Sequence, residues 1–382
     1  MNFARTKEEQ DRLERIGKLA VRFSERAGKI DETGDFPYEN MEDLKEAGYT
    51  TWTLDKEFGG KGISLYEFLL YQEKIAEGDG STALAIGWHM GTMMDLSARR
   101  PWNQDVWNEV VEKVKKGALI NTAATEPQTG SPTRGGLPQT TAVFENGQWV
   151  INGRKTHTTL SPVLDFILVK AYIPQRKKVG IFLIPKETKG VSVEETWNTI
   201  SMRGTGSHDL LLKDVRIDEK YFVETVDPVN NQSAGWLLHI PACYLGIAGA
   251  ARNYALRFST EYSPNSIEGT ISDLPNIRQL IGQMELELLQ ARTFMYAIAE
   301  KWDRSESKVE LQAALGAVKH VAVNASIRVV DAAMRIAGSK SLFFENPLQR
   351  YYRDVRAGLH NPPMDDAVIA MLAQKALDGI QN

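Results

Sequence analysis

Apolar residues Leu13, Ile16, Leu19, Ala20 and Phe23 recur at helical spacing within residues 6–29, so the pattern predicts an amphipathic first helix. Phe36-Pro37 opens a second helix at a position proline favours, and Gly48 closes it. A glycine-rich connection, TTWTLDKEFGGKGISL, leads to helices expected near residues 64–77, 81–98 and 101–116. From residue 119 to 220 the pattern shortens to alternating runs, ATEP, QTTAVFENGQWVING, DFILVKAYI, VGIFLIP, VSVEETW and HDLLLKDVRI, divided by Asn-Gly, Lys-Gly and similar turn pairs. These runs, rich in Val, Ile and Thr, predict a mostly antiparallel β region. Helical spacing returns near residues 233–260, 275–303, 307–337, 346–357 and 364–379, and the first three are long enough to pack as a bundle. The expectation is an α+β chain in three domains: α-helical at 1–118, β at 119–230, and an α-helical bundle at 231–382.

Composition narrows the partners. With 382 residues, 25% charged, 42% hydrophobic and a formal net charge of -4, the chain reads as an ordinary globular protein, with nothing that points to nucleic acid. It is long enough to enclose a whole cofactor. The single cysteine, Cys243, excludes an internal disulfide. The six histidines, His89, His157, His208, His239, His320 and His360, have no zinc-like spacing, so no metal site is expected. The charged N-terminal stretch lacks the apolar core of a secretory signal and no apolar run approaches the length of a membrane span, which leads us to expect a cytoplasmic protein.

Candidate chemistry begins at residues 121–136, NTAATEPQTGSPTRGG. There an apolar lead ends in the hydroxyls of Thr125, Thr129, Ser131 and Thr133, and Gly130, Gly135 and Gly136 permit close backbone approach. Short hydroxyls and free amides suit a flat polar ring or a phosphate, although a plain surface loop after a strand would read the same way.

Further stretches match in order and spacing. FPYENMEDLKEAGY and EFGGKGISLYEF lie in the first helical region, ATEPQTGS opens the sheet, INGRKTHTT lies in it, RGTGSHDLLLKDVRI closes it, and PLQRYYRDVRA stands near the end. With these the chain resembles the acyl-CoA dehydrogenase family of flavoproteins over nearly its full length. The resemblance implies an N-terminal all-α domain, a central antiparallel β domain, a C-terminal four-helix bundle, bound FAD and a homotetramer.

Carried over residue by residue, it assigns Ala124 and Thr125 to the flavin pyrimidine edge and Ser131 to the FAD pyrophosphate. His157 falls where the family has an aromatic stacked on the flavin, and Thr159 where a hydroxyl reaches flavin N5. Gly338 and Ser339 in RIAGSKSLF match a turn bordering the FAD of a neighbouring subunit, and a helix C-cap glycine is an equal reading. Ser131, Arg203 and His239 are the expected substrate contacts, while for Arg203 a structural turn around Gly204 and Gly206 is the other reading. The arginine and Phe-Gly pair that touch the neighbour's adenine in the family are missing from YSPNSIEGTISDLPN.

The reaction such a family member carries out needs a carboxylate base for the α proton of an acyl-CoA. Family glutamates usually follow the Arg-Asp motif, but VRAGLHNPPMDDAV has Pro362 there; some relatives use the first bundle helix, where Trp236 stands instead. His360, Asp365 and Asp366 after the motif and His239 on the helix are the nearest replacement bases, His360 the preferred one, with Asp365 and Asp366 also readable as helix N-terminal acids. Three functions stay open: α,β-dehydrogenation of an acyl-CoA with electrons passed to an electron-transfer flavoprotein; a flavin-dependent monooxygenase of the same fold supplied by a flavin reductase, in which reduced flavin reacts with oxygen; or a flavin or acyl-CoA binding protein that has lost its base.

Overall fold

The computed structural model of the chain describes residues 2–129, 136–226 and 234–381. Five helices come first: α1 (Lys7–Thr33), α2 (Tyr38–Glu46), α3 (Leu65–Gly78), α4 (Gly80–Arg99) and α5 (Gln104–Val114). Local chemistry sets their ends. The Thr6 hydroxyl accepts the Glu9 amide, Ser64 and Glu67 form a reciprocal capping box, and Gly34 ends α1 in the left-handed region. Ile16, Ala20, Phe23 and Ala27 form the buried stripe of α1, whereas α4 is buried on most of its faces and lies at the centre of the assembly.

The middle region is an eight-stranded sheet in which seven strands run in the order β6-β7-β3-β2-β4-β5-β8 and β1 pairs with β4 off that path. Its strands are β1 (Ile120–Ala123), β2 (Thr141–Glu145), β3 (Gln148–Thr158), β4 (Phe166–Ile173), β5 (Lys178–Pro185), β6 (Val191–Glu194), β7 (His208–Asp218) and β8 (Phe222–Thr225). Pairing is antiparallel except where β1 and β2 meet β4. Two details depart from the expectation. ATEP is not a strand but the segment after β1, with only Glu126 in an isolated bridge, and β8, too short to show alternation, adds an unforeseen edge.

The chain then forms α6 (His239–Glu261), α7 (Pro275–Arg304), α8 (Gln312–Ala337), α9 (Pro347–Ala357) and α10 (Asp365–Gln381). The α+β architecture is therefore helices, antiparallel sheet, helices. The α6 helix starts later than its periodicity suggested, because Gly235–Leu238 is a 3-10 turn, so Trp236 sits before the helix rather than on it. Val309–Leu342 has the length and mean hydropathy (1.2) to cross a membrane, yet 61% of that window is buried inside the fold, as befits the core helix of a bundle.

One junction joins the three parts. Arg353 on α9 forks onto Asp31 of α1 at 2.9 and 2.5 Å and donates to the Ile200 carbonyl at 2.6 Å. Next to it, buried Asp354 accepts the Met202 amide at 2.7 Å. Burial raises the Asp354 carboxyl to about 7 against the opposing pull of that amide. Replacing Arg353 by methionine removes charge-assisted bonds to a half-buried partner and is expected to cost about 1–3 kcal/mol, read as a lower urea midpoint with an unchanged slope; an unaltered midpoint would contradict this role.

Candidate functional site

Glu126 makes the loop after β1 a shaped surface. Its side chain turns inward and meets the Lys155 ammonium at 2.6 Å, both residues being almost wholly buried (2% and 0% exposed). The same carboxylate accepts the Gln139 amide at 2.6 Å, the Thr140 amide at 3.0 Å and the Thr129 hydroxyl at 3.2 Å. Burial alone would raise its pKa, but Lys155 and the residues that donate to it hold it at about 2. With Glu126 fixed inward, Ala124 and Thr125 stay half-exposed, and the Thr125 carbonyl accepts the Thr156 amide of β3 at 2.9 Å.

The end of β3 is strained. His157 and Leu160 have φ of +56° and +69°, and across from them Met202 has +51°. Non-glycine residues in this region persist only where surrounding contacts dictate them. Here the β3–β7 register slips between Lys155 and Thr158, which brings the exposed His157 ring edge-on to Trp197 at 5.6 Å. Trp197 is itself held by its indole N–H to the Met202 carbonyl at 2.9 Å.

Buried Thr159 ends a directed chain of hydroxyls. Thr205 donates to the Met202 carbonyl at 3.0 Å, so the 2.8 Å contact with Ser207 uses the serine proton and the 2.9 Å contact between Ser207 and Thr159 uses the threonine proton. The Thr159 oxygen is thereby left as an acceptor, suited to an incoming N–H. The result is a shelf of hydroxyls, backbone groups and one aromatic pair, with its one carboxylate turned away.

Two further groups lie apart from this shelf along the chain. Gly338 ends α8 at φ +60° and with Ser339 lines a surface pocket of ≈ 610 Å³ beside Met334, Leu342, Phe344 and Tyr352. Phe343 and Phe344 are 63% and 91% exposed, an apolar patch of the kind another molecule covers. His239 is fully buried among aromatic rings, and burial pushes its imidazole down to about 3, so it is neutral at physiological pH.

Comparison with known proteins shows the family and the fold. The models of the acyl-CoA dehydrogenase N-terminal, middle and C-terminal domains match residues 6–99, 121–215 and 238–361. YdbM of Bacillus subtilis (strain 168), itself assigned to the acyl-CoA dehydrogenases only provisionally, is 52% identical over 98% of this chain and 99% of its own. The chain belongs to the acyl-CoA dehydrogenase family of flavoproteins. The fold is also that of butyryl-CoA dehydrogenase from Megasphaera elsdenii, with a TM-score of 0.87, 19% identity and coverage of 99% of this chain and 100% of that one. A nitrososynthase from Micromonospora carbonacea var. africana shares it at TM-score 0.82 and 21% identity, over 98% and 97% of the two chains.

As a member of the acyl-CoA dehydrogenase family the chain calls for a flavin, and the shelf has the donor set for one. Backbone at Ala124 and Thr125 would hold the polar edge of the ring, His157 would lie against it, and the Thr159 oxygen would accept from it. Ser131, expected at the pyrophosphate, lies outside the described residues.

Two expectations need correction. Arg203 is not free for substrate: its nitrogens donate to the carbonyls of Asp31 at 2.5 Å, Thr199 at 2.8 Å and Glu32 at 3.5 Å, because the C-terminus of α1 leaves carbonyls that need donors. Asp365 is a poor base. Asn324 donates to it at 2.9 Å and His320 lies 3.2 Å away, and against the upward push of burial these neighbours hold its carboxyl below the ordinary range while it pins α10 to α8. His360 ends the 3-10 turn Gly358–His360 with its side chain exposed. Among the described residues no group of three or more His, Cys, Asp or Glu has a metal-binding arrangement.

Sequence reasoning missed Glu126, Lys155 and Trp197. Only Lys155 left a signal, as a lysine at a position of β3 whose alternation points inward. Replacing Lys155 by methionine strands a buried carboxylate and is expected to cost about 3–5 kcal/mol at neutral pH. The sign with pH follows from the depressed Glu126 pKa. In the wild type this contribution is complete above the ordinary value of about 4.3 and is lost as pH falls toward 2. In the variant the stranded acid gains by protonation, so the gap between the two proteins narrows on acidification. Denaturation curves from pH 7 to 4 check this, and a gap that widens would be against it.

Proposed function

We propose that the chain is an FAD-dependent acyl-CoA dehydrogenase, taking a proton from the α carbon and a hydride from the β carbon of an acyl thioester. The observation that carries this reading is the grouping of Ala124, Thr125, His157 and Thr159 where the segment after β1 meets the end of β3, which offers an acceptor oxygen, an aromatic ring and half-exposed residues. Its likeness to YdbM and to butyryl-CoA dehydrogenase supports the acyl-CoA side of the reading. Bound FAD would supply the hydride acceptor, with an electron-transfer flavoprotein as the next carrier. For the proton, His360 is the candidate base: its imidazole is exposed at the corner after α9, and the adjoining Asn361 is held by the Tyr244 hydroxyl. The exposed apolar patch beside Gly338 and Ser339 supports a homotetramer in which a neighbour covers that pocket.

A second reading has its own support. Pro362 and Trp236 stand at both positions where a family carboxylate would serve as base, and a monooxygenase fed reduced flavin by a reductase needs none. The nitrososynthase likeness is compatible with this alternative.

Anaerobic mixing of the FAD-loaded protein with a panel of acyl-CoA thioesters separates the two. Bleaching of the oxidised flavin is expected, slowed at least ~100-fold by His360→Ala. No bleaching with any thioester, together with oxygen uptake by the pre-reduced protein, favours the second reading; bleaching unchanged in the variant removes His360 from the base role.

A further inference from the structure

On one face of α4, Gly87 and Gly91 stand four residues apart, one turn above the other. A Cβ at Gly87 would lie 2.3 Å from His239 Nδ1 and 2.6 Å from Gln72 Nε2, and one at Gly91 would lie 2.2 Å from the Trp236 ring. The two glycines therefore let His239 and Trp236 lie directly on the helix backbone. Their rings are nearly parallel, 14° apart with centroids 5.9 Å distant. Phe68 stacks beyond at 6.1 Å, and Trp88 closes the edge at 5.1 Å from His239 and 5.8 Å from Trp236.

Among the described residues, four polar atoms of this aromatic box have no hydrogen-bond partner. Both ring nitrogens of His239, the indole N–H of Trp236 and Oε1 of Gln72 are buried without a hydrogen bond, although the Gln72 amide N–H donates to the Ala83 carbonyl. Buried polar groups are almost always paired, so four orphaned atoms on facing elements call for an explanation. Histidine burial as such does not give one. Two residues beyond Gly87 on the same helix, His89 is equally buried, yet its Nε2–H donates to the Thr50 carbonyl at 2.9 Å and its Nδ1 accepts the Ile120 amide at 3.1 Å. The fold satisfies its structural histidine and leaves the other one open.

The polarity of the box defines what it would take. A neutral imidazole gives one donor and one acceptor, Trp236 adds a donor and Gln72 an acceptor. No charged group acts on His239, whose lowered basicity comes from burial alone. A carboxylate or ammonium would find no counter-charge and lose its water, whereas a hydroxyl can both donate and accept. Trp88 and Trp236 are only half-buried, so the box is closed at His239 and reaches the surface at the tryptophans.

We propose that this box, with His239 at its end and Gln72 and Trp236 at its sides, is a specificity site for the uncharged, hydroxyl-bearing end of a ligand. The ligand's identity as substrate rests on the acyl-CoA reading above, but the recognition itself does not.

Matched pairs test both parts: phenol against benzene, and hydroxyphenylpropionyl-CoA against phenylpropionyl-CoA, titrated into flavin-loaded protein labelled with nitrogen-15 in its histidines. The hydroxylated member of each pair is expected to bind at least ~10-fold tighter, to shift the His239 ring nitrogens, and to lose its advantage in His239→Phe. If that variant does not fold, Gln72→Leu and the wild-type nitrogen shift give the same readout. Equal affinity within the pairs, an advantage that survives the substitution, or no saturable binding of phenol would overturn the proposal, the last meaning that trapped water alone satisfies the box. Flavin bleaching by thioesters without any hydroxyl preference sinks the box and leaves the dehydrogenase; phenol preference without bleaching does the reverse.

Discussion

The site depends on a buried ion pair. Glu126 and Lys155 come from different strands' ends, and each would be costly to bury alone. Together, with Gln139 and Thr140 supplying amides, they fix the segment after β1 against β3 and decide which way the loop faces. With the carboxylate inward, Ala124 and Thr125 stay half-exposed while the Thr125 carbonyl accepts the Thr156 amide. Such a pair is weak evidence for stability gained over an apolar substitute, but it allows one arrangement of the loop, and that selectivity is what a cofactor edge requires.

The strained corner follows from the same constraint. With Lys155 held inward, the β3–β7 register slips before Thr158, so His157 and Leu160 adopt left-handed geometry. That conformation survives because the facing turn is held from outside: Asp354 takes the Met202 amide, Arg353 takes the Ile200 carbonyl, and Arg203 ties the turn to α1. Strain at the shelf is thus sustained by contacts from the first and last helical regions, which explains why residues far apart in sequence all bear on one loop.

How much of this was legible in the sequence depended on whether the signal was local. The Gly48 stop after α2, the apolar stripe of α1 and the Asn-Gly turn between β2 and β3 are local, and the helices and most strands were read from signals of this kind. The direction of a side chain is not local. His89 and His239 look alike in sequence, yet one is fully hydrogen-bonded and the other has no partner; Arg203 could have faced a ligand or a helix end, and only the position of α1 decides it. Trp236 was assigned to a helix because periodicity ran through it, but the 3-10 turn that precedes α6 obeys nearly the same spacing. β8 pairs through four residues, too few for alternation to show.

The missing carboxylate and the aromatic box are two aspects of one choice of environment. A carboxylate base needs water, a cation or hydrogen-bond donors to remain ionised. Around His239 the fold supplies none of the charged kind: the histidine is kept neutral by burial, and Glu73 one residue from Gln72 is already held by Arg292 at 2.7 Å and by Tyr296 at 2.6 Å. A glutamate at position 236, half-buried beside a neutral histidine, would gain no counter-charge from His239. Any proton that leaves a ligand held here must leave toward a wetter edge, and the exposed imidazole of His360 beyond α9 is such an edge, whereas Asp365 is tied to α8. On the proposed readings, chemistry on this scaffold is divided between a neutral interior that recognises and a solvated corner that exchanges protons.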